Sequence, residues 1–117
     1  MVKGIGLDIM LISRMEKSLE TPGLSERVFT EGERAYIAAR SSRAQSAAGI
    51  FAAKEAVLKA LGTGIAGNPA LKDIEVVHTE RGGPYVRCPG HDDLKISITH
   101  MGDIAAAVAV WEPSEEV

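Results

Sequence analysis

The sequence has little of what marks a cross-linked, membrane-spanning or nucleic-acid-binding protein. It has one cysteine, Cys88, among 117 residues, which excludes an internal disulfide framework. We find no apolar run that approaches the ~20 residues needed to cross a bilayer, and the first ten residues do not resemble a cleaved signal peptide. The formal net charge of −3 argues against a general nucleic-acid-binding protein. These features predict a soluble, cytoplasmic protein that binds neither membranes nor nucleic acid.

Aromatic residues are also scarce, and this limits how the core can be built. They make up 4% of a chain that is 45% hydrophobic, so the core must consist mainly of alanine, valine, isoleucine and leucine. Such small side chains let the backbones of helices and strands approach closely, and they leave apolar surface for a partner subunit. The length suits a single domain over residues 1–117.

The hydrophobic pattern predicts one strand, then helices, then a series of antiparallel strands. In the first strand, residues 2–9, one face carries apolar side chains and the other carries two glycines and an aspartate: Ile5, Leu7 and Ile9 against Gly4, Gly6 and Asp8. Later strands are predicted at 74–79, 84–88, 95–100 and 105–112. This order predicts an α+β fold.

Capping signals predict where the helices begin and end. Two capping boxes, Ser13 with Glu16 and Thr30 with Glu33, predict the starts of two short helices. The longest helix is predicted to begin near residue 42 or 46 and to end at 61, with Gly62 as its C-terminal stop. Residues 62–69 contain three glycines and a proline, which is typical of a loop.

The long helix carries three charged side chains of interest. Glu55 and Lys59 are four residues apart and share a face with two alanines that are too small to cover them, so a ligand could lie close to the helix. On spacing alone, the pair is typical of an exposed ion pair. Lys54 falls among apolar positions, where a lysine usually snorkels to the edge. The alternative is that it reaches a buried carboxylate or an anionic ligand.

Asp8 and His100 are further candidates, each near the end of a predicted strand. One strand carboxylate with one helix carboxylate, Asp8 with Glu55, is too little for a calcium cage but suits Mg²⁺, which keeps waters and takes oxygens from substrate phosphates. The alternative is that Asp8 caps a turn or the following helix. His100 shares a face with Ile96 and Ile98, where a lone histidine is more often a polar group at the margin of the core than a catalyst.

Three motifs occur in order along the chain. They are GIGLD at 4–8 with Arg14 six residues later, FAAKEAVLKA at 51–60 followed by LGTG, and ISITH at 96–100 before an alanine-rich strand. Together they resemble the holo-acyl-carrier-protein synthases, the short bacterial type of the phosphopantetheinyl transferase superfamily. The resemblance covers most of the chain, and it implies a fold in which an antiparallel sheet packs with a long central helix.

The resemblance implies a magnesium-dependent enzyme that moves phosphopantetheine from coenzyme A to a serine of an acyl carrier protein. It also implies a homotrimer with active sites between subunits. The residues that match fall into four groups: Asp8, Glu55 and Lys59 for catalysis, Asp8 and Glu55 for Mg²⁺, Lys54, Gly62, Gly64 and His100 for coenzyme A, and Arg14 with its helix neighbour Lys17 for docking of the carrier protein.

The sequence departs from the family pattern at three places, one of which is Met101, where a small polar residue is frequent. Ile50 stands where a basic residue is common, so Arg40 or Arg43 is the alternative for holding a coenzyme A phosphate. The segment 88–95 is short, which predicts the loss of a surface helix. Two other functions are compatible with the residues: a non-catalytic module that binds coenzyme A or an adenine nucleotide, and a structural trimerisation domain. The binding module would tolerate the loss of Lys59.

Overall fold

The computed structural model describes residues 1–62, 69–81 and 83–114. In chain order the elements are β1 (Gly4–Leu11), α1 (Ile12–Leu19), α2 (Leu24–Val28), α3 (Glu31–Ala38), α4 (Arg43–Leu61), a 3₁₀ turn (Leu71–Asp73), β2 (Glu75–His78), β3 (Pro84–Arg87), β4 (Leu94–Met101) and β5 (Ile104–Trp111). The predicted α+β class with antiparallel strands is confirmed. The strands divide between two sheets, one of three strands in the order β1-β5-β4 and one formed by β2 and β3.

Helix α4 packs across the three-stranded sheet through small residues. Alanines on both elements are buried, with 5% exposure or less: Ala47, Ala48, Ala52, Ala53, Ala56 and Ala60 on the helix, and Ala105, Ala107 and Ala109 on β5. This is the alanine-built core that the scarcity of aromatic residues predicts, and it lets the helix lie close to the strands. The two elements together form the frame on which the candidate site residues are placed.

Strand β1 touches the backbone of α4 directly, because its inner face begins with glycines. A Cβ atom on Gly6 would lie 1.8 Å from the carbonyl oxygen of Ala56, and one on Gly4 would lie 1.9 Å from that of Ala60. No side chain fits at either position. The close approach holds the next inward residue of the strand, Asp8, beside the C-terminal half of α4.

The outer face of β1, at one edge of the three-stranded sheet, is apolar and exposed. Ile5, Leu7 and Ile9 of β1 point away from α4 and are 67%, 60% and 60% exposed. The two-faced pattern of β1 was predicted from the alternation of its residues and is confirmed. Large aliphatic side chains in a row on a surface are typical of a face that another protein covers.

One of the two predicted capping boxes forms. The Thr30 side chain accepts a hydrogen bond from the Glu33 backbone N–H, and the Glu33 carboxylate accepts one from the Thr30 N–H. The prediction for Ser13 is wrong: α1 begins at Ile12, and its N-cap residue, Leu11, has no side-chain oxygen. Ser13 instead contacts Asp103, on the turn between β4 and β5.

The predicted end of α4 and the predicted short connection after β3 are both confirmed. Gly62 follows the helix in the left-handed conformation, with φ of 76°, which glycine adopts without strain. Between β3 and β4 the chain makes a tight turn, in which the His91 N–H donates to the Cys88 carbonyl at 2.9 Å, and no helix occurs among residues 88–93, all of which are described.

None of the helices in the described ranges combines the length and the apolar character that a crossing of the membrane requires.

Candidate functional site

Asp8, Glu55 and Lys59 meet where β1 runs beside the C-terminal half of α4. The Lys59 ammonium donates to Asp8 Oδ1 at 3.0 Å and to the Leu7 carbonyl oxygen at 2.9 Å. The Asp8 side chain is 17% exposed and that of Lys59 is 52% exposed. The ion pair therefore lies at the protein surface, where its charges can reach a ligand.

Glu55 is close enough to Asp8 for the two carboxylates to repel each other. Burial raises the pKa of the Glu55 carboxyl, the Asp8 carboxylate raises it further, and the Lys59 ammonium opposes both effects. The ionised form of Glu55 is therefore disfavoured in the folded protein, which is a common property of groups at functional sites. A cation held between the two carboxylates would relieve the repulsion.

The donor set at this position fits Mg²⁺ better than a cation that needs a complete protein cage. Two carboxylates from neighbouring elements supply oxygen ligands, and Mg²⁺ characteristically keeps several waters and completes its shell with substrate phosphate oxygens. In the part of the chain that the structure describes, there is no group of three or more histidine, cysteine or acidic side chains arranged for a metal. Asp8 and Glu55 are the two carboxylates at this position that could hold such an ion.

His100 lies at a different edge of the sheet from Asp8. Asp8 pairs with Ala107, and Ala107 pairs with Ile98 of β4, so β5 separates the two edge strands by about 10 Å. The His100 ring faces Gln45, with 3.2 Å between His100 Nε2 and Gln45 Nε2. The structure thus brings Asp8, Glu55 and Lys59 together and places His100 elsewhere in the chain.

His100 lines a cleft of about 140 Å³ that contains other groups suited to an anion. Arg40 and Gln45 line it, and none of the described residues that form its wall is acidic. Ile50 contributes an apolar surface there. Of the two arginines considered as substitutes for a basic residue at position 50, Arg40 is the one in this cleft.

The same cleft includes two residues that the sequence did not single out. The rings of Tyr36 and His78 stack with their centroids 3.9 Å apart and their planes 3° from parallel, and the Arg40 guanidinium lies 5.3 Å from the centre of the Tyr36 ring. Burial lowers the pKa of His78, and the charge of Arg40 lowers it further. Because α3 and β2 are distant in sequence, no local pattern could have indicated this stack.

Lys54 is buried, and the structure corrects two predictions about it. It is 0% exposed, and its ammonium donates to Glu33 Oε1 at 2.6 Å and to the Val28 carbonyl oxygen at 2.7 Å. Snorkelling to the edge is therefore wrong, and so is the assignment of Lys54 to coenzyme A, because the ammonium is enclosed by protein. The alternative of a buried carboxylate partner is confirmed.

Glu33 is the partner that the sequence did not identify, and it joins three elements. Besides Lys54 of α4, its carboxylate accepts from the backbone N–H of Val76 on β2 at 2.7 Å and from that of Thr30 at the start of α3. Burial lowers the pKa of Lys54, while Glu33 opposes the shift. Removing one partner would leave a buried charge unpaired, which is strongly destabilising. Lys54 directly precedes Glu55, so its pairing with Glu33 fixes which way α4 is turned about its axis at the candidate site.

The remaining predicted site residues are Gly62, Gly64, Arg14 and Lys17. Gly62 caps α4 three residues after Lys59. Gly64 lies outside the described residues. Arg14 and Lys17 are both exposed on α1, three residues apart, and therefore share a face of that helix.

Comparison with known proteins agrees with the motifs. The model of the 4'-phosphopantetheinyl transferase superfamily matches residues 4–109. A holo-[acyl-carrier-protein] synthase of Alkaliphilus metalliredigens is 41% identical, over 94% of this chain and 98% of that protein. One from a Methylobacterium species is 49% identical, over 96% of this chain and 95% of its relative.

Solved structures of other proteins have the same fold as this chain. A holo-(acyl-carrier-protein) synthase from Bacillus anthracis, in complex with coenzyme A (3′,5′-ADP), superposes with a TM-score of 0.89 at 40% identity and covers 97% of this chain and 99% of its own. The corresponding enzyme of Neisseria meningitidis superposes with a TM-score of 0.86 at 27% identity, over 97% of this chain. The resemblance drawn from the three motifs is thereby confirmed, and this chain belongs to the holo-acyl-carrier-protein synthases of the 4'-phosphopantetheinyl transferase superfamily.

Proposed function

We propose that this chain transfers phosphopantetheine from coenzyme A to a serine hydroxyl of an apo acyl carrier protein, with Mg²⁺ as cofactor. The observation that carries the proposal is the grouping of Asp8, Glu55 and Lys59 at the rim of the protein. In the reaction the serine oxygen forms a bond to the phosphorus next to pantetheine. The bond from that phosphorus to the bridging oxygen of the diphosphate breaks, and adenosine 3′,5′-bisphosphate leaves.

The residues of this chain supply position and charge for that displacement. Asp8 and Glu55 would hold Mg²⁺, which supplies neutralisation of the diphosphate charge. Lys59 Nζ is held by Asp8 and the Leu7 carbonyl, and the side chain is half exposed. Its ammonium would neutralise or protonate the leaving phosphate. The serine proton passes to a base as the bond forms, and the carboxylates of Asp8 and Glu55 are the bases that this chain brings to the site.

The test is the intact mass of an apo acyl carrier protein after incubation with this protein, coenzyme A and Mg²⁺. We expect a gain equal to one phosphopantetheine group, and we expect no gain when a chelator is present. Binding of coenzyme A without any transfer would support the non-catalytic module instead. Transfer that continues at full rate in chelator would contradict the role of Mg²⁺.

We further propose that the enzyme is a homotrimer in which a second copy of the chain completes each site. Two features support this: the exposed row of Ile5, Leu7 and Ile9 on the outer face of the sheet, and the separation of His100 from Asp8 on opposite edge strands. With coenzyme A bound between subunits, the cleft of His100 and Arg40 on one copy would face the Asp8–Glu55 pair of the next.

Replacing Ile5 with Asp should disrupt this assembly without disturbing the fold. The Ile5 side chain is 67% exposed and points away from α4, so the subunit tolerates a charge there, whereas a covered apolar face does not. We expect a monomer by light scattering after size exclusion, a native circular dichroism spectrum, and a loss of transfer of at least about tenfold (roughly 1.4 kcal/mol in the barrier).

The matched control is Thr21→Asp, which adds the same charge at an exposed turn after α1 and should leave the trimer intact. An Ile5→Asp protein that stays trimeric, or a wild-type protein that is monomeric and active, would contradict the assembly.

That the enzyme acts in the cytoplasm and does not bind nucleic acid stays a prediction. We propose that its protein partner docks on α1, where Arg14 and Lys17 present two positive charges to an acidic carrier.

A further inference from the structure

Helix α1 has no N-terminal cap of its own. Its N-cap residue is Leu11, which makes no side-chain hydrogen bond, and its first turn contains no acidic residue. The first backbone N–H groups of a helix have no partner within the helix and need one from elsewhere. A helix with this start depends on an outside acceptor to hold its first turn.

Asp103, on the turn between β4 and β5, is that acceptor. Its carbonyl oxygen accepts from the Ile12 N–H at 2.8 Å. Its carboxylate accepts from the Ser13 N–H at 2.9 Å through Oδ1 and from the Ser13 hydroxyl at 2.6 Å through Oδ2. The negative charge also lies at the helix N-terminus, where the helix dipole favours it. A residue 90 positions away thus does what a cap residue normally does.

The turn that carries Asp103 is built to place it there. Gly102 has φ of 58°, a conformation that glycine adopts readily and that makes a tight connection between antiparallel strands. Met101 and Ile104 on either side are paired across the two strands, so the turn has little freedom. His100 is three residues before Asp103, and the same hairpin therefore carries both residues.

On the other side of this contact are the groups proposed to bind the carrier protein. Arg14 follows Ser13 directly, Lys17 is one turn further along the same face, and Asp8 is on the strand that leads into the helix. The direction of α1 relative to the sheet therefore decides how far a docked carrier lies from the Asp8–Glu55 pair. Asp103 holds the end of α1 that is closest to that pair.

We propose that Asp103 is a positioning residue for carrier docking: by capping α1 from the β4–β5 turn, it fixes where Arg14 and Lys17 present their charges. The inference rests on the proposed function, since it concerns the carrier substrate of the same site. In this proposal Asp103 does not contact coenzyme A. Its removal should therefore weaken the use of the carrier protein and leave the use of coenzyme A unchanged.

The test compares Asp103→Ala with Asp103→Asn in steady-state transfer assays, together with amide hydrogen exchange over residues 12–19. Asp103→Ala should raise the KM for apo carrier protein about three- to tenfold, leave the KM for coenzyme A within about twofold, and speed exchange in the first turn of α1. Asp103→Asn should lie near wild type, because its amide oxygen still accepts from the Ser13 N–H. Arg14→Ala, which removes a docking charge directly, should raise the carrier KM without the change in exchange.

Asp92→Ala is the matched control, because it removes one exposed negative charge from another turn and should change neither KM. Equal increases in both KM values would overturn the proposal, and so would faster exchange with an unchanged carrier KM. If the wild-type protein transfers nothing, the proposed function fails. Calorimetric titration with apo carrier protein then decides the inference, which is wrong if wild type and Asp103→Ala bind it equally.

Discussion

Replacing Glu55 with Gln will lower kcat for phosphopantetheine transfer by at least about a thousandfold, or roughly 4 kcal/mol in the barrier, and will leave the fold intact. The amide keeps the size of the side chain but removes one of the two charges that would hold Mg²⁺. The measurement is the initial rate of holo carrier formation over a range of Mg²⁺ concentrations. A higher Mg²⁺ concentration should not restore the rate fully, because the ion would then be held by the Asp8 carboxylate alone.

The stability of the same variant provides an independent check. Burial and Asp8 raise the pKa of Glu55, so the carboxyl ionises more easily in the unfolded chain than in the folded one. As the pH rises through that range, ionisation reduces stability, and at neutral pH the ionised side chain destabilises the fold. Without metal, Glu55→Gln should therefore be at least as stable as wild type in urea.

Glu26→Gln is the matched control for this substitution, since it removes a carboxylate from α2, which is not part of the site. It should transfer at the wild-type rate. A Glu55→Gln protein with near-normal turnover would overturn the metal assignment. One that is inactive and also unfolded would show that the carboxylate supports the structure instead.

Replacing Gly6 with Ala will have the largest effect on stability, a loss of about 3 kcal/mol or more. The new Cβ would lie 1.8 Å from the carbonyl oxygen of Ala56. That oxygen belongs to the backbone of a buried helix, so it cannot move aside as a flexible side chain would. Either β1 or α4 must shift, and the packing of alanines between them is lost. The free energy of unfolding in urea measures the effect.

Gly83→Ala is the control for this prediction, because the nearest atom to its new Cβ, Thr79 Oγ1, is 3.9 Å away. It should change the free energy of unfolding by less than about 0.5 kcal/mol. A Gly6→Ala protein that loses less than about 1 kcal/mol would show that the strand and helix can separate without cost, contrary to the close contact described above.

The parts of the fold that depend on neighbouring residues could be predicted from the sequence. The Thr30–Glu33 capping box involves four consecutive residues, and the two faces of β1 follow from strict alternation. The grouping of Asp8 with Glu55 came from the motifs as a resemblance, and the glycines of β1 explain it physically. With no side chains at Gly4 and Gly6, the strand lies against the helix, and the next inward residue, Asp8, lies close enough to Glu55 for the two charges to interact.

Two of the predictions that failed concern partners that are distant in the sequence. Ser13 has the spacing of a capping box, but the acceptor that α1 uses is Asp103, 90 positions away. Lys54 has the pattern of a snorkelling lysine, but it is buried because it forms an ion pair with Glu33, which is 21 positions earlier and equally buried. Helix α2, with five residues (Leu24–Val28), is too short for a clear period and was not predicted. The failures at Ser13 and Lys54 are cases in which tertiary contacts decide what a local pattern leaves open.

The position of β5 in the sheet has a consequence for how the protein is made. This strand lies between β1 and β4 in the sheet, yet it comes last of the strands in the chain. Of the residue pairs that join it to β1, Leu11 and Ile104 are the least far apart in sequence. During synthesis at about 5–20 residues per second, β1 therefore waits roughly 5 to 20 s for its partner to emerge from the ribosome. Throughout that time its isoleucines and leucines are unpaired on a nascent chain, where chaperones that bind apolar extended segments can reach them.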